Sequence, residues 1–259
     1  AFSPMDLAYA RLYQGALTQS EVESVLSEMG TRFNIPISTT PWPTRPVRNY
    51  LPEFGTQGYA HMLNTGSGDT NLTSVSGWTD HVHSTGTYIM SSYAASSRRL
   101  IAQGVVSYKP YNNYYYTTQL ANANMFVRVK VYNPPGTPAN SDAGCGIAFR
   151  HTGTNTLIFK VMANGNWRVI RGASATSDNT NTADPTPLAE GTMPYPLIAD
   201  DELTVVCVGN TIAVYWNDQK LGQFTSTLNN TARRFGVHIT QGGGGELYDL
   251  KAGVATAIP

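Results

Sequence analysis

Charge is scarce in this 259-residue chain: 13% of its residues are Asp, Glu, Lys or Arg, and the formal net charge is zero. With no net field, neither a nucleic-acid backbone nor an anionic membrane surface has a long-range hold on it, and neither partner is expected. Long apolar runs are missing too. No segment approaches the roughly 18 residues a bilayer span needs, so membrane insertion is not expected, and the first residues lack the basic-then-apolar order of a secretory signal. There are only two cysteines, Cys145 and Cys207. Both sit in apolar, strand-like runs, where a free thiol behaves as a small core residue, and two cysteines make no disulfide framework. Signatures of common catalytic chemistry are absent as well: no Ser-His-Asp order, no phosphate-cradling glycine motif with its lysine, no reactive Cys-His pair. The chain opens Ala1-Phe2-Ser3 rather than on methionine, which suggests a processed product or a piece of a longer protein.

Glycine (24), proline (15) and tyrosine (15) are plentiful instead, a composition suited to short strands and turns and poor for helix. The sharpest segment is Leu203 to Phe224. Apolar alternation there is interrupted only by Gly209-Asn210 and Asn217-Asp218, two tight-turn dipeptides, which predicts a three-stranded antiparallel meander. Further strands are expected at Tyr88–Met90, Leu100–Tyr108, Met125–Tyr132, Gly146–Arg150, Thr156–Met162, Trp167–Arg171, Phe235–Thr240 and Leu247–Ala252. The polar interval from Ala173 to Pro196 is too long for a hairpin loop. At the N-terminal end, Asp6–Tyr13 alternates as a strand does. Thr18-Gln19-Ser20-Glu21 then forms a capping box, and Val22, Val25, Leu26 and Met29 follow at helical spacing up to Gly30. Residues 35 to 53 carry Pro36, Pro41, Pro43, Pro46 and Pro52, which neither ladder nor helix tolerates, and read as an extended arm. The division expected is therefore 1–34 strand and helix, 35–53 arm, and 54–259 sandwich.

The order of segments carries a resemblance. Gly77-Trp78-Thr79 is followed by Leu100-Ile101-Ala102-Gln103-Gly104, then Phe126-Val127-Arg128-Val129-Lys130, Gly144-Cys145-Gly146-Ile147-Ala148-Phe149-Arg150, the Leu203 meander and Leu247-Tyr248-Asp249-Leu250. From about Gly55 onward this resembles the concanavalin A-like, laminin-G-like jelly-roll superfamily. The segment Ala10 to Thr18, its helix and Arg32-Phe33 resemble the last strand and helix of a separate laminin-G-like domain, as found in phage and bacterial surface structural proteins. The fold class implied is all-β, a jelly-roll β-sandwich of the concanavalin A-like lectin/glucanase type with a short N-terminal strand-helix and a proline-rich arm.

Enzymes of this fold need two carboxylates flanking the scissile bond. The Glu-x-Asp-x-Glu strand motif that would supply them is absent, and the nearest pairs, Glu21/Glu23 and Asp200/Glu202, read as helix surface and strand entrance. No catalytic residue is assigned. His81 and His83 are two apart beside Asp80, the spacing of a metal corner, but a third ligand would have to come from elsewhere. The resemblance leaves room for a calcium ion held by loop oxygens, with Asp142 or Asp249 among them; otherwise no cofactor is expected.

Charge is also segregated along the chain. Arg98, Arg99, Lys109, Arg128, Lys130, Arg150, Lys160, Arg168 and Arg171 face Asp142 alone within 98–171, whereas 172–219 holds seven acids and no Lys or Arg until Lys220. Alternation sends Val127, Val129, Ile147 and Phe149 inward and Arg128, Lys130 and Arg150 outward, which predicts a basic stripe on one open face. With Trp167, Tyr114 and Tyr116 supplying stacking rings, these residues form the candidate glycan site, suited to an anionic polysaccharide. The competing readings are that the acidic long loop folds over the stripe and neutralises it, or that both are ordinary solvated surface. The function expected is a non-catalytic lectin-like module of a virion (phage) or other surface structural protein, attaching to a host-surface glycan or joining other subunits through residues 1–53, as a homo-oligomer on a virion or extracellular surface. Alternatives are a carbohydrate-active hydrolase or lyase of the same fold, and a decoration or fibre subunit with no ligand.

Overall fold

Strands that alternate buried and outward side chains must pack one face against something, and two such sheets satisfy each other. The computed structural model of this chain describes residues 55–62, 69–71, 76–82, 90–94, 99–103, 112–136, 144–172, 186–239 and 245–259. The expected N-terminal strand, helix and arm, and His83, Asp142 and residues 173–185, lie outside them. Among the described residues every regular element is a strand: β1 Gly55–Met62, β2 Asp69–Asn71, β3 Trp78–Val82, β4 Met90–Ala94, β5 Arg99–Gln103, β6 Asn112–Tyr116, β7 Met125–Asn133, β8 Gly144–His151, β9 Thr156–Met162, β10 Asn166–Gly172, β11 Ala189–Thr192, β12 Glu202–Val208, β13 Thr211–Trp216, β14 Gln219–Thr225, β15 Arg234–Ile239 and β16 Glu246–Ala255. None of the described residues forms a helix long and apolar enough to cross a membrane.

These strands build a jelly-roll β-sandwich of two antiparallel sheets. One has nine strands, in the order β14, β13, β12, β7, β16, β5, β4, β2, with β1 also on β16; the other has seven, in the order β11, β10, β9, β8, β15, β6, β3. The meander expected at Leu203–Phe224 is β12–β13–β14. Its first turn has Gly209 at φ 57°, and its second places Asn217 and Asp218 at φ 46° and 66°, as a two-residue hairpin turn of the I′ type requires. The polar interval after β10 is not all loop, because Ala189–Thr192 returns as β11 and pairs with β10 from Val169↔Ala189 to Asn166↔Thr192.

The core lies between the sheets. Val127, Val129 and Val131 of β7 and Leu203, Val205 and Cys207 of β12 meet Ile147 and Phe149 of β8, Phe159 of β9 and Val237 of β15, all of them fully buried. Cys145 and Cys207 are free thiols inside this core, as their apolar surroundings suggested. Burial pushes each up to about 12, since a thiolate has no water to solvate it there. A second, smaller apolar cluster forms on the outer face of the nine-stranded sheet, where Phe126, Val206, Ala213, Tyr215 and Ala255 pack with Val208 and Ile258. The Tyr215 hydroxyl donates to the Pro259 carbonyl at 3.1 Å, so the last residues lie across this cluster.

Candidate functional site

The expected basic stripe is not formed. β7 belongs to the nine-stranded sheet and β8 to the seven-stranded one, so Arg128 and Lys130 stand on one wall of the sandwich and Arg150 on the other. Arg150 also faces the wrong way for a stripe. In the register between β8 and β15, Phe149 pairs with Phe235 and His151 with Arg234, leaving Arg150 as an extra residue at a bulge. Its φ of 49° reverses the side chain, as bulges do. Arg150 is fully buried. It donates from Nη1 to the Ser226 carbonyl at 3.4 Å and from Nη2 to the Gly209 carbonyl, and it also hydrogen-bonds Cys207. Its Nε has no acceptor. The guanidinium thus ties the seven-stranded sheet to the first turn and the trailing end of the meander in the other sheet.

Trp167 is interior as well. At 5% exposure its ring lies edge-on to Phe159 at 6.3 Å, and it fills the space beside two glycines: a Cβ on Gly191 or Gly222 would stand 2.7 Å from the indole. Tyr116 packs on Trp78, Tyr59 and Phe235, with ring centroids 5.6, 5.3 and 5.9 Å away. Tyr114 pairs with Asp80 and Val237 through its backbone; its side chain, with those of Asp80 and His81, is outside the described set. Of the five glycan-site candidates whose side chains are described, only Arg128 and Lys130 share a surface.

That surface is the outer face of the nine-stranded sheet at the entrance of β12, and it resolves the charge segregation. β7 pairs antiparallel with β12 in the register Lys130↔Glu202 and Arg128↔Thr204, which lays the basic strand against the acidic one. Arg128 Nε meets Glu202 Oε1 at 3.0 Å and Thr204 Oγ1 at 3.3 Å, and its Nη2 reaches Asp218 in the β13–β14 turn. Lys130 Nζ is 3.0 Å from Asp249, which Lys251 also approaches at 3.6 Å. Asp249 arrives there through another bulge. Tyr248 pairs with Lys130 and Lys251 with Arg128, so Asp249 and Leu250 together oppose Val129, and Asp249 takes φ 51°. Among the described residues, the acids that neutralise the basic pair come from the β12 entrance, a hairpin turn and β16; Asp178 and Asp184 of the long polar interval lie outside them.

Three features here escaped the sequence reading. Asp201 is buried; its carboxylate accepts from Asn217 Nδ2 at 2.7 Å and from the Ile198 amide at 2.8 Å, while Asn217 Oδ1 accepts from the Glu202 amide at 2.8 Å. This locks the β12 entrance to the hairpin turn. The Asp200 amide donates to the Val131 carbonyl at 2.8 Å, which seats the Ile198–Asp200 turn against β7. Finally, Tyr248 donates its hydroxyl to Asp200, lies under Lys130 Nζ at 5.7 Å, and meets Tyr132 edge-on at 6.0 Å and 89°. Tyr132 and Ile198 are the large hydrophobic residues left exposed among those described, at 37% and 50%. Chemically the site is a rigid polar face with an aromatic pair at its rim. Among the described residues no three acid, histidine or cysteine side chains group as a metal would require, and Asp249 is held by two lysines; Asp142, the other calcium candidate, lies outside the described residues.

No protein-family model and no curated protein matches the chain. Solved structures do. A Bacillus subtilis protein of unknown function with a galectin-like fold superposes with a TM-score of 0.54 at 12% identity, over 79% of this chain and 98% of that one. The carbohydrate recognition domain of Emp46p, in its metal-free form, gives 0.49 at 10% identity over 77% and 98%. The carbohydrate-binding module CBM66 from Bacillus subtilis gives 0.43 at 11% identity over 70% and 94%. The first of these likenesses establishes a galectin-like, lectin-type sandwich as the fold, and at such identity it carries the architecture alone.

Proposed function

We propose that this chain is a non-catalytic, lectin-like module that attaches to surface glycans. One observation carries the reading: on the outer face of the nine-stranded sheet, each described carboxylate near the β12 entrance is engaged by a cation, a hydroxyl or an amide. Glu202 and Asp218 both grip Arg128, Asp249 grips two lysines, Asp201 is tied into the β13–β14 turn and Asp200 accepts from Tyr248. Among the described carboxylates of this face, no pair is left without such a partner to act as acid and nucleophile across a glycosidic bond. Charges fixed by one another beside an exposed aromatic ring, Tyr132, are what recognition of a polar, ring-shaped ligand uses, because ordering is completed before binding.

A sandwich of this kind has a natural place in a virion or other surface structural protein. In that setting the proline-rich residues 35–53 would contact a neighbouring subunit in a homo-oligomer, as their inability to form a ladder with their own domain suggests. A glycan array probed with the purified chain tests the reading, alongside a polysaccharide turnover assay. Retention of at least one glycan class with no release of reducing ends is the expected result. Reducing-end release that disappears in Glu202→Gln would replace the module with an enzyme, and an empty array would remove the glycan altogether.

A further inference from the structure

We infer that the ligand seat is the Tyr132–Tyr248 pair on the outer face of the nine-stranded sheet, and that it takes an uncharged pyranose glycan rather than a polyanion. The inference rests on the glycan-binding reading above and names its site and ligand class. The two rings stand at 89° with centroids 6.0 Å apart, and Tyr132 is 37% exposed. One ring at a right angle to another makes a floor and a wall, so the C–H face of a sugar can lie on the first while its edge abuts the second. Ile198, half exposed on the turn that Asp200 fastens to β7, adds apolar rim.

Polar groups for the hydroxyls stand around these rings: Lys130 over Tyr248 at 5.7 Å, Asp249 between Lys130 and Lys251, and Asp200 on the Tyr248 hydroxyl. An ammonium offers three donors, so the partly exposed Lys130 and Lys251 retain donors after pairing with Asp249, whose buried carboxylate holds them in place. The internal pairs hold these side chains in one arrangement, which lowers the ordering cost of binding.

Charge decides the ligand class. The contacts of this face join Arg128, Lys130 and Lys251 to Asp200, Asp201, Glu202, Asp218 and Asp249, with the Asn217 turn included. With Lys220, whose Nζ lies over Tyr215 on the same face, the described side chains set five carboxylates against four cations, a formal excess of one negative charge, which disfavours a polyanion and is indifferent to a neutral chain. The anionic glycan that the linear charge pattern suggested would need the stripe that the two sheets separate.

The test uses the purified chain on an array holding both neutral glycans and acidic polysaccharides, read at about 50 and 500 mM salt, a range over which screening of surface charge becomes nearly complete. Neutral glycans should be retained with less than about a twofold change across that range. Tyr132→Ala should weaken retention about tenfold, the effect of losing one well-packed ring contact. Tyr248→Phe keeps the ring and releases Asp200, and should show a smaller loss. The melting curve of Tyr132→Ala should match that of the parent, since the side chain is exposed. Retention of acidic polysaccharides alone, lost at high salt, would overturn the inference while leaving the glycan reading standing, as would neutral binding that Tyr132→Ala leaves intact. Absence of any retained glycan would overturn both.

Discussion

Arg128 and Arg150 are the same residue type on consecutive strands, yet they live in opposite regimes. Arg128, on the outer face of the nine-stranded sheet, has a side chain 20% exposed and spends its guanidinium on Glu202, Asp218 and Thr204. Arg150 is fully buried and answered mainly by the carbonyls of Gly209 and Ser226. The first belongs to a polar surface on which acids and cations hold one another, and the second is a buried positive group with no carboxylate among the described residues beside it. A buried charge removed from its partners costs far more than an exposed one. Position relative to the sandwich therefore sets what each arginine is for: Arg150 ties the two sheets together, while Arg128 organises the face proposed for recognition.

The largest effect should come from breaking the interior member. Arg150→Ala leaves two carbonyls without donors and a void beneath the meander turns, and should cost about 3–5 kcal/mol, read as a lower denaturation midpoint in urea. A loss under about 1 kcal/mol would mean that the guanidinium does not link the sheets. The same interior predicts an alkaline weakness. Burial pushes the thiols of Cys145 and Cys207 from 9 up to about 12, with Arg150 pulling Cys207 partly back. The folded state therefore holds their protons more tightly than the unfolded chain does. Stability from this source is fully present below pH 9 and is lost as pH rises toward 12. Native protein at pH 10 should leave both thiols unreactive toward a disulfide reagent until denaturant is added, and reaction of either before unfolding would refute the burial.

Next in size is the surface arginine. Arg128→Ala strips Glu202 and Asp218, at 8% and 5% side-chain exposure, of their shared cation, and should cost about 1–2 kcal/mol, less at high salt because solvent already screens one side of the pair. Equal losses for Arg128→Ala and Arg150→Ala would dissolve the contrast between the two regions.

The architecture was largely legible, because strand alternation and turn dipeptides are local signals. Gly209-Asn210 and Asn217-Asp218 lie at the turns of β12–β13–β14, with register from Leu203↔Trp216 to Val208↔Thr211. β11 was not, since Ala-Glu-Gly-Thr has little strand propensity and owes its conformation to pairing with β10. The site was legible only as charge. The basic run and the acidic run were visible, and their complementarity is the register Lys130↔Glu202. Alternation alone cannot say which sheet a strand joins, and one inserted residue reverses a face, so both the Arg150 bulge and the split between β7 and β8 were hidden. Tyr248 reaches Lys130 through a register across distant segments, and no local pattern around either tyrosine marks the pair.

The smallest expected effect separates the two halves of the recognition sheet's own outer face. At its polar end, side chains are held by ions; at its apolar end, Tyr215 is buried beneath the final residues, with its hydroxyl on Pro259 and Ile258 packed nearby. Burial pushes the Tyr215 phenol up to about 12, so this contact too favours the protonated ring and weakens in strong alkali. Tyr215→Phe removes one neutral hydrogen bond and keeps the ring, and should lower stability by about 1 kcal/mol at neutral pH. Retention on the glycan array should stay at the parent level, because Tyr132 and Tyr248 belong to the other end. A loss of glycan retention as large as that of Tyr132→Ala, without a matching loss of stability, would show that the seat extends along the whole face and that the apolar end is part of it.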